Sequence, residues 1–308
     1  QDVFNRYPLH LALNARNSLD KQVIKLLCCK EAIKEPTMYL SRTPLHIACN
    51  RGASKEIFEL LIHEADEATS GSVKDILTKQ TRLKCTPLQL AVEKRLSHEI
   101  IKLLIPSFSK GTSNYSSHPL YTEYNGMIPL AHACWNRSKA DTINVLLNCD
   151  ERQKTIHERV QSGNAHETMK SIMNEVDGMT PLHLAATHDD SKVVALLLKA
   201  DTKKSYESTL FIRDHKQRIP LHVACAKDAT DEIVEQLLFA DARKESTRAI
   251  DDDGRTPLHY ICDNENATRN VIERLLAAED EYFTSAGDEV VDEKFFIAKN
   301  KRCSRTLD

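Results

Sequence analysis

One dipeptide recurs in this chain at a spacing that ordinary globular folds do not produce. Pro-Leu returns seven times inside a longer pattern: Tyr7-Pro8-Leu9-His10, Thr43-Pro44-Leu45-His46, Thr86-Pro87-Leu88-Gln89, Ile128-Pro129-Leu130-Ala131, Thr180-Pro181-Leu182-His183, Ile219-Pro220-Leu221-His222 and Thr256-Pro257-Leu258-His259. Small pairs follow, as in Ala48-Cys49, Ala133-Cys134, Ala185-Ala186 and Ala224-Cys225. A second apolar run then appears at a nearly fixed distance, from Val23-Ile24-x-Leu26-Leu27 and Ile57-Phe58-x-Leu60-Leu61 to Val271-Ile272-x-x-Leu275-Leu276. Its spacing makes one helical stripe.

Proline presets φ at the first turn of a helix, where its missing N–H costs nothing, and a preceding threonine is a ready N-cap. Small residues at mid-helix let a neighbouring helix approach closely. The second helix carries the bulkier stripe. Neither helix buries its face alone, so the units must stack, and stacked units make a solenoid whose length grows by addition. The spacing predicts an all-α chain.

This pattern resembles the ankyrin repeat, a β-turn followed by two antiparallel helices and opened by Thr-Pro-Leu-His-x-Ala. The resemblance covers residues 1–280, with units opening near 4, 40, 83, 125, 177, 216 and 253. It leaves 281–308 as an extension, in which Asn300 to Leu307 reads as the opening turn of an eighth unit. The family's units run 33 residues. Here the prolines are 36, 43, 42, 52, 39 and 37 residues apart, and the glycine of the inter-helix turn is kept only as Gly52. Such stretched units are similar to those of ankyrin-rich proteins of unicellular algae. The extra length forms insertions. A helical turn or two is expected in 68–78, a surface loop in 106–125, an extra helical element in 151–176, and an extended hairpin arm in 206–214.

The pairs His46/Cys49, His222/Cys225 and His259/Cys262 stand one helical turn apart, as metal ligands can. They recur once per unit, however, so each pair falls in a different layer, and zinc needs about four ligands in one place. The resemblance implies instead that His10, His46, His183, His222 and His259 link the threonine before them to the backbone of the next turn. We read no metal and no cofactor. The sequence also lacks G-x-S-x-G, a P-loop, G-x-G-x-x-G and H-E-x-x-H, and no enzyme is expected.

Composition limits the partners. Lys+Arg number 42 against 45 Asp+Glu, a net charge of -3, which does not suit nucleic acid. The charge is polarised: residues 1–110 hold 17 basic and 12 acidic side chains, and 251–293 hold 13 acidic against three basic. No run of about 18 apolar residues marks a membrane span, and no secretory pattern opens the chain. Nine cysteines without a Cys-x-x-Cys suggest a reducing, intracellular compartment, the cytoplasm ahead of the nucleus. The first residue is Gln1, and the chain reads as a piece of something longer.

The resemblance implies a protein partner held on the concave face, lined by the fingers and first helices. Two residues before each proline stand Arg6, Arg42, Cys85, Met127, Met179, Arg218 and Arg255. Arginine and methionine there suit protein recognition, as does Trp135, the single tryptophan. The candidate contacts are Arg42, Arg51, Trp135, Arg137, Arg218, Lys227 and Arg255. None lies at a stripe or small-pair position, so folding is expected not to require them. The alternatives are a structural subunit of a larger complex held through the insertions, and the cytosolic repeat region of a channel or multidomain enzyme.

Overall fold

The computed structural model describes residues 1–15, 20–69, 73–106, 118–150, 154–201, 208–227 and 230–286. A helix opens at every proline of the pattern: Pro8–Asn14, Pro44–Arg51, Pro87–Glu93, Pro129–Trp135, Pro181–Ala185, Pro220–Ala226 and Pro257–Asp263. The residue before each proline is extended, which the proline ring demands and which starts a helix cleanly. The second helices are Lys21–Leu27, Lys55–Thr69, His98–Leu103, Ala140–Cys149, Ser191–Ala200, Asp231–Ala240 and Arg269–Ala286. Among the described residues, extended pairing is limited to one bridge between Tyr124 and Met127.

The described chain forms two compact bodies. The first holds residues 1–155 and 160–175, the second residues 156–159 and those from 176 on. Within the first, the helices at Pro8, Pro44, Pro87 and Pro129 pack each on the next, and their second helices do the same. Within the second, the helices at Pro181, Pro220 and Pro257 pack in order, as do theirs. The small pairs sit at these contacts: Ala48, Cys49, Ala133, Cys134, Ala185, Ala186, Ala224 and Cys225 are all buried. Larger side chains there would hold the helices apart.

The stripe is buried in six of the seven units through residues such as Phe58, Ile101, Ile143, Val194, Leu237 and Leu275. The first unit departs from expectation. Ile24 is buried against helix Lys55–Thr69, but Leu26 is 85% exposed and Val23 is exposed too. Helix Lys21–Leu27 packs on Pro8–Asn14 and Lys55–Thr69, and these contacts cover Ile24 but not Val23 or Leu26.

The insertions are short helical pieces and turns. Val73–Thr78 is a helix whose Ile76 and Leu77 are buried. The expected element in 151–176 consists of a 3-10 turn, Ser162–Asn164, and the single turn Lys170–Met173, with Ile156, Val160 and Met173 buried. The hairpin arm is not formed over 208–214, which folds as a turn with Leu210 and Ile212 buried. Its cause is Asp201, whose Oδ2 accepts from the Thr209 N–H and hydroxyl, both at 2.9 Å. Two other aspartates at the ends of second helices hold the returning chain likewise: Asp150 Oδ2 takes the Thr155 N–H at 2.8 Å, and Asp241 Oδ2 the Ser246 N–H at 2.7 Å. Most of the expected 106–125 loop, the tip of 206–214 and the eighth unit lie outside the described residues.

Candidate partner-binding surface

Each finger turns at the residue three before its proline. Asn5, Ser41, Lys84, Gly126, Gly178, Gln217 and Gly254 all have positive φ, between 52° and 77°. Only three are glycine, so four fingers carry an L side chain in the left-handed region at a cost of roughly 1–2 kcal/mol each. Aspartate offsets this in some fingers. Asp214 Oδ1 accepts the Lys216 and Arg218 N–H groups at 2.9 and 2.8 Å, while its Oδ2 takes the Arg218 guanidinium at 2.7 Å. Asp2 does the same with Arg6, and Asp251 accepts the Arg255 N–H at 2.8 Å. These carboxylates, six residues before the proline, were legible as Asp–Arg pairs four apart.

In three units the histidine two residues past the proline anchors to the next finger. His46 Nδ1 accepts from the Thr43 N–H at 3.2 Å and hydroxyl at 2.8 Å, and its Nε2 donates to the Cys85 carbonyl at 3.0 Å. His183 repeats this with Thr180 and the Arg218 carbonyl, and His222 with the Ile219 N–H and the Arg255 carbonyl. His10 takes the Tyr7 N–H and reaches the Glu35 carbonyl, and His259 accepts from Thr256. Both nitrogens are thus engaged in His10, His46, His183 and His222, so these rings are structural links, not ligands. Burial lowers His46, His183 and His222 from 6.5 to about 4, which keeps them neutral. Burial likewise pushes the Cys85 thiol up to about 12 and also raises those of Cys49, Cys134 and Cys225, so they behave as small apolar groups.

Neighbouring fingers also share a main-chain bond. The Met38 N–H donates to the Phe4 carbonyl at 2.9 Å and the Arg82 N–H to Leu40 at 3.2 Å; in the second body the Asp252 N–H donates to Lys216 at 3.2 Å. The ladder omits the step from the third finger to the fourth. Gln89, standing where a histidine is expected, reaches the Thr122 carbonyl at 2.6 Å. The fourth finger instead closes on itself through Tyr124 and Met127, and its Gly126 carbonyl takes the Gln161 N–H at 2.9 Å.

The seven candidate contacts fall into two groups. Arg51, Arg137 and Lys227 are exposed, and Arg42 and Trp135 are half-buried. Arg51 reaches back to Asn14, and the Trp135 ring stacks on His132 at 6.0 Å. Arg218 is different, at 12% exposed and paired with fully buried Asp214. Arg255 lies over the Tyr260 ring at 4.5 Å and pairs with Asp263. The expectation that folding does not require Arg218 is therefore corrected: its guanidinium neutralises a buried carboxylate. Cys85, Met127 and Met179 also leave the surface, being buried. With no aspartate six before the proline in those fingers, an apolar side chain tucks beneath the turn in place of an arginine folding over it. The fingertips show instead Val3, Phe4, Met38, Tyr39 and Leu83, all exposed.

Helix pairs stacked by small residues, with fingers tied by a Thr-Pro-Leu-His link, define a helical repeat protein built to present a surface. The family described as Ankyrin repeats (3 copies) matches residues 156–248, and the single Ankyrin repeat matches residues 41–70. The chain thus contains ankyrin repeats. No curated protein matches it. Ankyrin repeats are in general non-catalytic modules of protein–protein interaction, and none of the described helices is long and apolar enough to cross a membrane.

Proposed function

We propose that the seven units over residues 1–280 form one array that binds a partner protein through its fingers and first helices and catalyses nothing. The observation that carries this is the rigidity of the fingers beneath exposed apolar tips. Phe4, Met38, Tyr39 and Leu83 stand in water, while Asp, His and main-chain bonds hold the turns below them in fixed register. A preorganised surface loses little entropy on binding. Arg42, Arg51, Trp135, Arg137 and Lys227 extend it along the first helices. The eight described cysteines are all free, which supports a reducing, cytoplasmic setting.

The test begins with capture of a partner from the source cell. Trp135→Ala should then cost about 2 kcal/mol of affinity, as a hot-spot aromatic does. Arg42→Glu and Arg51→Glu should slow association. Normal binding by all three would overturn the reading.

A structural subunit is the second reading, favoured by one observation. Phe239 is 87% exposed and edges a groove of about 800 Å³ on the second helices, with Ala195, Leu198 and Ala277 beside it. Loss of assembly in Phe239→Asp, with the finger variants intact, would establish it.

A further inference from the structure

The omitted step in the ladder leaves an open groove of about 620 Å³ between the third and fourth fingers. Arg82, Leu83 and Lys84 form one wall, Glu123 and Asn125 the other, and His166 lies at its edge. In the first two fingers the residue four before the proline, Phe4 or Leu40, gives its carbonyl to the next finger. In the third finger that residue is Leu83, and among the described residues no backbone N–H donates to its carbonyl. Arg82 and Lys84 are exposed, and neither has an ion-pair partner among the described residues. The carboxylate opposite, Glu123, already accepts from Asn164 Nδ2 at 2.7 Å.

Resting on the reading of the finger side as the binding face, we propose that this groove receives an extended acidic segment of a partner protein. A peptide main chain entering the gap takes the place of the missing ladder step and supplies an N–H to Leu83, which a nucleic-acid backbone does not offer. Its carboxylates meet Arg82 and Lys84, neither of which is ion-paired among the described residues. Its apolar side chains lie against Leu83 and the neighbouring tip of Tyr39, also exposed.

Random peptides displayed on phage, selected against the whole chain, test this directly. The expected binders are rich in Asp and Glu around an apolar residue. Their affinity should fall about tenfold in Arg82→Glu/Lys84→Glu, a substitution of exposed residues that leaves the melting curve in place, and on N-methylation of one main-chain amide. Lys25→Glu, at an exposed position on the second helix Lys21–Leu27, should leave it unchanged. Binders without acidic enrichment, or acidic binders indifferent to the double variant, would overturn the proposal. So would a single-stranded DNA oligonucleotide that binds more tightly than the peptide. Peptides that depend on Arg51 or Trp135 would remove the groove but keep the wider reading; no binder dependent on any finger or first helix would remove both.

Discussion

The Nε2 of His183 donates to the main-chain carbonyl of Arg218 at 3.0 Å, across 35 residues of sequence. That bond joins one unit to the next without any water in reach, since His183 is fully buried. The same ring accepts from the Thr180 N–H. One side chain thus satisfies a donor within its own unit and an acceptor in the following one.

Glutamine can do both jobs. Gln89 Oε1 accepts the Thr86 N–H at 2.9 Å while its Nε2 donates to Thr122. His183→Gln should therefore cost under about 1 kcal/mol, whereas His183→Ala should cost about 2 kcal/mol by stranding a buried donor and acceptor. Urea denaturation of the two variants measures the difference. Equal losses would show that ring packing, not hydrogen bonding, matters at this position.

Protonation should strip the same links. His46, His183 and His222 have folded values near 4 against 6.5 when unfolded, so the unfolded chain takes up protons first. Their stabilisation is complete above pH 6.5 and is withdrawn as pH falls from 6.5 to about 4, up to roughly 3 kcal/mol for each ring. At His183 burial sets the direction; the Arg218 carbonyl and Asp214 oppose it, and Arg218 and Arg159 reinforce it. The measurement is the urea midpoint from pH 7.5 to 4. The fall should be shallower in His183→Gln, and an unchanged slope would contradict the assignment.

The helix starts and the histidine links were legible because proline and histidine are rare enough to stand out at a fixed spacing. Asp150, Asp201 and Asp241 were not, because an aspartate in a chain with 28% charged residues carries no signal until its distance to a returning threonine is known. The fate of Arg218 against that of Arg51 was equally hidden. Both are arginines off the packing stripe, and only the turn at Gln217 folds one of them back over a buried carboxylate. The ladder gap at Leu83 is a missing main-chain bond, and main-chain partners leave no mark in the residue types.

Glycine content in the fingers gives a graded prediction. Lys84→Gly and Gln217→Gly should each stabilise by about 1 kcal/mol, since they relieve a left-handed L residue at a modest entropic cost. Alanine at the three finger glycines should cost in a defined order. At Gly254 a Cβ meets open space and only φ is strained. At Gly178 it would lie 2.7 Å from the His215 nitrogen, and at Gly126 it would run into the Gln161 carbonyl. Thermal melts should rank Gly254→Ala mildest, and a milder Gly126→Ala would mean that the 161 segment yields without resistance.

Arg218 and Arg51 separate folding from recognition. The Asp214 side chain has no exposed surface; one oxygen accepts from two main-chain N–H groups and the other pairs with the Arg218 guanidinium. Arg218→Glu places a second carboxylate against it. Breaking a buried pair from one side costs about 3 kcal/mol or more, because the remaining charge is uncompensated. Arg51 is exposed and among the described residues bonds to Asn14, so Arg51→Glu should shift stability by under about 0.5 kcal/mol. The paired substitution Asp214→Asn/Arg218→Gln should recover part of the loss by removing both charges. Calorimetry on the four proteins decides it. If Arg218→Glu melts with the wild type, the Asp214 pair contributes nothing, and Arg218 returns to the set of side chains free for a partner.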